Sequence, residues 1–231
     1  LQLSLSDAGP GSLATSGTRD ATAYDLYLKG MYLYRRRGVG IADAISTLDQ
    51  ATARDTTFAR AWAGLSESAA LLPAYLDTTE ADDVVLARAE RAAHRAVALD
   101  SMLPEVQLAL ARSYSAEFRF NDALRAVDRA LALDPNATLA YTLKYEILTA
   151  LGRLAGADTA SRRAVELDAL SALALNNRAV WFLSAGQLDR ALPSSQRAVA
   201  VAPTEGQWKR TLGTLYALAG IETTTTNPTK F

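Results

Sequence analysis

The stretch that decides the fold is Asn121–Pro135, NDALRAVDRALALDP, because its small residues return along the chain at steps of 34 residues. Two rows of alanine keep this step without a gap, and they are Ala123, Ala157, Ala191 and Ala130, Ala164, Ala198. Self-similarity at a period of a few tens of residues is the signature of a repeat protein whose units stack on their neighbours. The period therefore predicts a stack of similar structural units.

The turns of the chain keep the same period as its alanines. Glycine recurs at Gly152, Gly186 and Gly220, and the interrepeat turns recur as Asp134-Pro135, Asp168-Ala169 and Ala202-Pro203. Alanine lets two helices approach closely, whereas glycine and proline end helices. With a hydrophobic fraction of 49% and few β-branched runs, this pattern predicts an all-α chain.

The pattern resembles the tetratricopeptide repeat, which has a large residue, Leu-Gly and Tyr on its first helix and small residues and Pro on its second. Trp62 and Leu65 match the first helix early in the chain, and Leu212-Gly213 with Tyr216 match it late. The second helix is matched by Ala123, Val127, Ala130 and Pro135. The resemblance implies a right-handed α-solenoid of about five helix pairs plus one C-terminal helix.

We predict three parts, namely an extended, strand-like segment 1–20, the solenoid 21–220 and an extended Thr-rich tail 221–231. Between Trp62 and Ser101 the chain is 11 residues longer than the repeat requires, which predicts an insertion near residues 73–83. Three positions depart from the repeat pattern, namely Lys144-Tyr145, Ser161 and Pro193. Because Pro193 lies inside a predicted helix, we expect that helix to bend there. The predicted helices are 21–36, 41–54, 58–72, 81–99, 104–117, 121–133, 138–151, 155–167, 172–185, 188–201 and 206–219.

The stretch from Gly17 to Tyr75, with its tyrosines and the Ala61-Trp62-Ala63-Gly64-Leu65 run, resembles the repeat region that follows TolB-like or signalling domains in bacterial regulatory proteins. The resemblance implies a docking or sensory part of a kinase, cyclase or transcriptional regulator. Because the chain begins with Leu1 and not with Met, we expect it to belong to a longer polypeptide. No catalytic residue is implied by this resemblance.

Composition and motifs argue against catalysis and cofactors. His94 is the single histidine and cysteine is absent, so neither a metal site nor a Ser-His-acid triad is expected. The run Gly38-Val39-Gly40 lacks the lysine of a phosphate-binding loop. A formal net charge of −1 argues against a nucleic-acid partner, and no apolar stretch is long enough to span a bilayer. We expect a non-enzymatic protein with no cofactor and no membrane insertion in this segment.

The concave face of such a solenoid is lined mainly by the first helix of each pair, where a protein or peptide partner would bind. Polar residues that we place there are Arg112, Glu146, Asn176, Asn177 and Arg210. A clamp for two carboxylates would need cations across successive helices, and Glu146 interrupts them. These residues therefore predict that the face binds a peptide, and they do not identify its sequence.

The two ends of the chain are strand-like or apolar. Leu1, Leu3 and Leu5 alternate with polar residues as in a half-buried strand. The last predicted helix is more apolar than a solvent-facing cap, and its candidate end contacts are Trp208, Leu212, Leu215, Tyr216 and Leu218. The row Thr223, Thr224, Thr225 and Thr226 has strand propensity and the composition of an O-glycosylated segment.

Three functions follow as hypotheses. The first is a non-enzymatic scaffold that binds a protein or peptide through its groove or its ends. The second is a structural subunit that stacks head to tail with copies of itself into an extracellular fibre, the strand-like tails joining neighbours. The third is the docking part of a bacterial regulator. Absence of cysteine fits several compartments, and we favour an extracytoplasmic or extracellular location over the cytoplasm.

Overall fold

A computed structural model of the chain describes residues 17–36, 38, 40–75 and 82–221. Within these residues the chain forms eleven α-helices and no strand. The helices are α1 (Ala21–Arg36), α2 (Gly40–Arg54), α3 (Ala59–Tyr75), α4 (Asp82–Leu99), α5 (Pro104–Ala116), α6 (Phe120–Leu133), α7 (Thr138–Ala150), α8 (Leu154–Leu167), α9 (Ala172–Ser184), α10 (Leu188–Val201) and α11 (Gly206–Leu218). The predicted all-α class is confirmed.

The end of α3 is the one helix bound that lies more than one residue from the prediction. This helix passes through Pro73 and ends at Tyr75, beyond the expected end at Leu72. Leu72 is buried, and Tyr75 packs on the same apolar cluster, which also contains Leu48 and Val85. Proline inside a helix costs about 3 kcal/mol, so this packing outweighs the cost. The first residues of the predicted insertion near 73–83 therefore belong to α3.

A second helix, α10, also runs through a proline. It is continuous from Leu188 to Val201 with Pro193 inside it. The proline nitrogen has no hydrogen to donate, so the hydrogen bond to the carbonyl four residues earlier is lost. The bend expected at this residue stays a prediction.

The chain divides into two compact units at Pro135. In the first unit α1–α2, α3–α4 and α5–α6 form hairpins, and α3 packs on both α2 and α5. In the second unit α7–α8 and α9–α10 form hairpins, and α9 packs on α7, α8 and α11. α11 packs on α9 and α10. Each unit thus repeats the same hairpin.

Small residues lie where the helices approach most closely. All six alanines of the two rows are at most 1% exposed. In the first hairpin, a Cβ added to Gly30 would lie 2.6 Å from Cγ of Leu48, so α1 and α2 meet at a distance that only glycine allows. The period of small residues in the sequence is therefore the period of helix contacts in the structure.

The turns inside the α5–α6, α7–α8 and α9–α10 hairpins are each closed by one pair of backbone hydrogen bonds. In α7–α8 the Arg153 N–H donates to the Leu148 carbonyl at 2.8 Å and Gly152 N–H donates to the Thr149 carbonyl at 3.0 Å. Gly152, Gly186 and Gly220 all have φ near +70°, the left-handed conformation that this helix end requires. In α5–α6 the same position is held by Phe118, with φ of 60°.

The segment just before α1 makes hydrogen bonds with the end of α2 and the turn between α2 and α3. Thr18 donates its hydroxyl hydrogen to Asp55 Oδ2 at 2.5 Å, and Asp20 Oδ1 accepts the N–H of Ala23 at 3.0 Å. Asp20 also pairs with Arg54 at 2.9 Å. The Ala23 N–H and the Arg54 guanidinium hold the pKa of Asp20 below its usual value. Residues 17–20 therefore cap α1.

Candidate functional site

The five groove residues lie on first helices of hairpins in both units. Arg112 lies on α5 in the first unit. The others lie in the second unit, with Glu146 on α7, Asn176 and Asn177 on α9 and Arg210 on α11. Asn176 and Arg210 are 34 residues apart and therefore occupy equivalent positions on two helices that pack together. The second unit thus places four of the five on neighbouring helices.

Asn176 and Asn177 each have a buried side-chain atom that the fold leaves without a hydrogen bond. Within the described residues Asn176 Oδ1 and Asn177 Nδ2 have no hydrogen-bond partner, and Asn177 is only 7% exposed. An unpaired polar group in such a place costs about 1–3 kcal/mol, which a native fold seldom retains without a use. Two apolar residues on these helices are exposed to solvent, namely Val180, one turn further along α9, and Leu139 on α7.

The candidate end contacts on α11 divide into two groups. Trp208, Leu212 and Leu215 are at most 8% exposed. Leu215 packs with Ala179, and Trp208 packs with Leu175, so these contacts lie inside the second unit. These three side chains are therefore mostly covered within the chain, and their assignment as end contacts stays a prediction.

The outward side of α11 is more open than the equivalent side of α9. Leu218 is 60% exposed, and Ile221 just beyond the helix is 47% exposed. A Cβ added to Gly213 would have no atom within 4 Å, whereas the equivalent Ala179 is fully buried. Tyr216 is half-buried and its hydroxyl meets Gln196 Nε2 at 3.1 Å. The remaining end residues, Leu1, Leu3, Leu5 and Thr223–Thr226, lie outside the described residues.

An arginine row with the 34-residue step was missed in the sequence, although the step was visible there. Its members are Arg95, Arg129, Arg163 and Arg197. Arg95 donates to the carbonyl of Thr56 at 3.3 Å, and Arg197 donates to the carbonyl of Ala169 at 3.1 Å. Both acceptors directly follow the aspartate that ends the preceding hairpin. Arg95 and Arg197 therefore hold their second helices against the preceding interrepeat turns.

Arg178 is a second feature that the sequence did not reveal. It occupies the leucine position of the repeat on α9, yet its side chain is only 12% exposed. Its guanidinium donates to Asp158 Oδ1 at 2.5 Å and to Ser161 Oγ at 3.1 Å. The rings of Trp181 and Phe182 lie 4.5 and 4.2 Å from it. Ser161 stands where the pattern has a bulky residue, and this departure makes room for the arginine.

The described residues hold no group of three or more histidine, aspartate or glutamate side chains placed to bind a metal ion. No helix in the same part of the chain combines the length and apolar character that crossing a bilayer requires.

Comparison with known proteins identifies the fold. No family model and no curated protein matches the chain. A thermophilic tetratricopeptide protein of Thermus thermophilus, TTC0263, is 17% identical, with a TM-score of 0.70 over 84% of this chain and 99% of its own. Human IFIT1, solved as a dimer with m7Gppp-AAAA, is also 17% identical, with a TM-score of 0.71 over 87% of this chain and 47% of its own.

Identities this low establish the fold and leave function open. The resemblance of Gly17–Tyr75 to the repeat region of bacterial regulators stays a prediction. The helix pairs, the 34-residue step and the structural likeness agree, and the chain is a tetratricopeptide-like helical repeat protein of the all-α solenoid class.

Proposed function

We propose that the chain is a non-enzymatic scaffold that binds an extended segment of a partner protein on the α7, α9 and α11 face of its second unit. The observation that carries the proposal is the pair of amide atoms without a hydrogen-bond partner, Asn176 Oδ1 and Asn177 Nδ2. A side-chain amide offers both a donor and an acceptor, which match the carbonyl and N–H of an extended backbone. Exposed Val180 adds apolar contact beside them.

A peptide library displayed on phage tests this proposal. The wild-type chain should enrich defined peptides, and the double variant Asn176→Ala/Asn177→Ala should lose affinity for them by about tenfold or more, because each lost hydrogen bond is worth about 1 kcal/mol. Asn121→Ala on α6 is the matched control, since Asn121 is exposed on a second helix. Equal binding by the double variant would remove the groove from the proposal.

A second candidate function is self-association, and the open side of α11 favours it. Leu218 and Ile221 are exposed at the C-terminal end of α11, and a Cβ added to Gly213 would meet no atom within 4 Å. In this function copies stack head to tail into an extracellular fibre, and the tails at Leu1–Leu5 and Thr223–Thr226 join neighbours, with the threonines as glycosylation sites.

Light scattering over a range of concentrations, with electron microscopy, tests the second function. The wild-type chain should form larger species as concentration rises, and Leu218→Lys should prevent this because a charge would enter the contact. Leu139→Lys, at an exposed leucine on α7, is the control. A monodisperse monomer throughout would exclude self-association of this chain.

A further inference from the structure

An open surface pocket of about 390 Å³, here called the cavity, lies on the α5–α6 hairpin of the first unit. Small-molecule sites usually range from about 300 to 1,000 Å³, so its volume suits a small organic ligand. Its lining combines three cations, one carboxylate, a polar amide and apolar surface, and it consists of Gln107, Leu110, Tyr114, Arg119, Asp122, Arg125, Ala126 and Arg129. None of these residues is a groove candidate or part of α11.

The residue at position 107 explains why the cavity exists. Trp62 occupies the equivalent position in the preceding hairpin, where its indole Nε1 donates to the carbonyl of Thr56 at 3.1 Å. Gln107 makes the same bond, with Nε2 donating to the carbonyl of Ser101 at 2.8 Å. The amide preserves the hydrogen bond but lacks the indole ring, a group that fills a large volume wherever it is buried. Space remains where the ring would be.

Arg129 lacks the bond that its counterparts in other hairpins make. Arg95 and Arg197, at equivalent positions, donate to carbonyls of the preceding turn. In this hairpin the equivalent carbonyl belongs to Ser101, which accepts from Gln107 and not from Arg129. Within the described part of the chain Arg129 has neither an ion pair nor a hydrogen bond, so its guanidinium is free at the cavity.

The other charges at the cavity are paired. Arg119 contacts Glu90 at 2.9 Å, Glu117 at 3.3 Å and Asp122 at 3.2 Å, and Asp122 also pairs with Arg125. The carboxylates are thus committed to two of the three arginines. One guanidinium remains, and its planar fork matches a carboxylate in bidentate geometry.

We propose that this cavity binds a small organic acid with one carboxylate and an apolar body. The carboxylate pairs with Arg129, and the apolar body lies against Leu110, Ala126 and the ring of Tyr114. Arg119 lies 4.1 Å from the Tyr114 ring and holds it in place. A multiply charged anion fits less well, because a single cation is free and Asp122 repels further negative charge.

Titration calorimetry on the whole chain tests the proposal with three probes, which are phenylacetate, its neutral amide phenylacetamide and inorganic phosphate. Phenylacetate should bind, and phenylacetamide should bind about tenfold more weakly, since the amide lacks the negative charge and the second acceptor oxygen of the carboxylate. Phosphate should bind more weakly than phenylacetate. No binding of phenylacetate, or equal binding of phenylacetamide or phosphate, overturns the proposal.

Two variants locate the site. Arg129→Gln should weaken phenylacetate binding by about tenfold, and Arg163→Gln, at the equivalent position on α8, should leave it unchanged because Arg163 pairs with Glu166. Gln107→Trp should restore the indole, keep the bond to Ser101 and abolish binding without lowering the thermal midpoint. Unchanged binding by Arg129→Gln contradicts the proposal even if Gln107→Trp fails to fold.

Discussion

The hairpins α5–α6 and α9–α10 are two repeats apart and have the same backbone plan, but they treat their charged residues in opposite ways. Both bury alanine where the helices cross, at Ala123 and Ala191. In α9–α10 an arginine at the leucine position is mostly buried and paired with Asp158, whereas in α5–α6 the leucine is kept and an arginine is left unpaired beside a cavity. The repeat pattern determines where the helices meet, whereas the charged residues differ from one hairpin to the next.

Each difference begins with one residue that departs from the repeat. Ser161 replaces a bulky side chain, and this makes both space and an oxygen available to Arg178. Gln107 stands where the preceding hairpin has Trp62, and the smaller side chain leaves space beside Arg129. In both hairpins, therefore, one smaller residue makes room next to an arginine.

Arg178→Leu is expected to produce the largest effect. It restores the leucine of the repeat, yet it leaves Asp158 and Ser161 without their cation. Removing one member of a fully buried pair costs about 3–5 kcal/mol. Because Asp158 is 28% exposed, we expect a loss of about 2 kcal/mol in the free energy of unfolding, measured by urea denaturation.

Arg190→Leu is the matched control for this variant, since Arg190 also lies over the Phe182 ring, at 4.2 Å, but is exposed. It should cost less than about 1 kcal/mol. If Arg178→Leu is as stable as the wild type, packing rather than the ion pair holds α9 on α8.

These two hairpins also show what the sequence could predict. Helix bounds in α5–α11 lie within one residue of expectation because alanine spacing and turn residues mark them directly. The predicted end of α3 was wrong because the packing of Leu72 and Tyr75 outweighs the tendency of Pro73 to end a helix. The arginine row had the same 34-residue step as the alanines and was detectable.

The fate of each arginine was not detectable from the sequence. It depends on which acceptors the fold brings within reach of the guanidinium. The Arg178 partners lie 17 and 20 residues away on another helix, and Arg129 makes no bond to a turn carbonyl although Arg95 and Arg197 do. Such partners require coordinates, because spacing alone assigns a side chain to a face and not to a partner.

The turns of the two hairpins give the next effect in size. Gly186 has φ of 71°, and Phe118 holds φ of 60° at the equivalent position while 80% of its surface is exposed. A side chain in the left-handed conformation costs about 1–2 kcal/mol, so Gly186→Ala should lower the free energy of unfolding by about 1 kcal/mol in urea.

Phe118→Gly should act in the opposite direction by about 0.5 kcal/mol, because relief of the backbone exceeds the entropy that glycine adds to the unfolded chain. The ring of Phe118 meets that of Phe120 edge-on at 6.0 Å, a contact the variant loses. A variant less stable than the wild type would show that this ring contact stabilises the turn more than the left-handed conformation strains it.

The last effect, similar in size to that of the turns, separates two arginines of the row. Arg197 donates to the carbonyl of Ala169, so Arg197→Gln should lower the free energy of unfolding by about 0.5–1 kcal/mol, the net value of a hydrogen bond. Arg129→Gln should leave it unchanged, since the described structure gives Arg129 no partner to lose. Urea denaturation of both variants side by side measures the difference. Equal losses would mean that Arg129 stabilises its hairpin as Arg197 does, and the α5–α6 cavity would then have no free cation to offer a ligand.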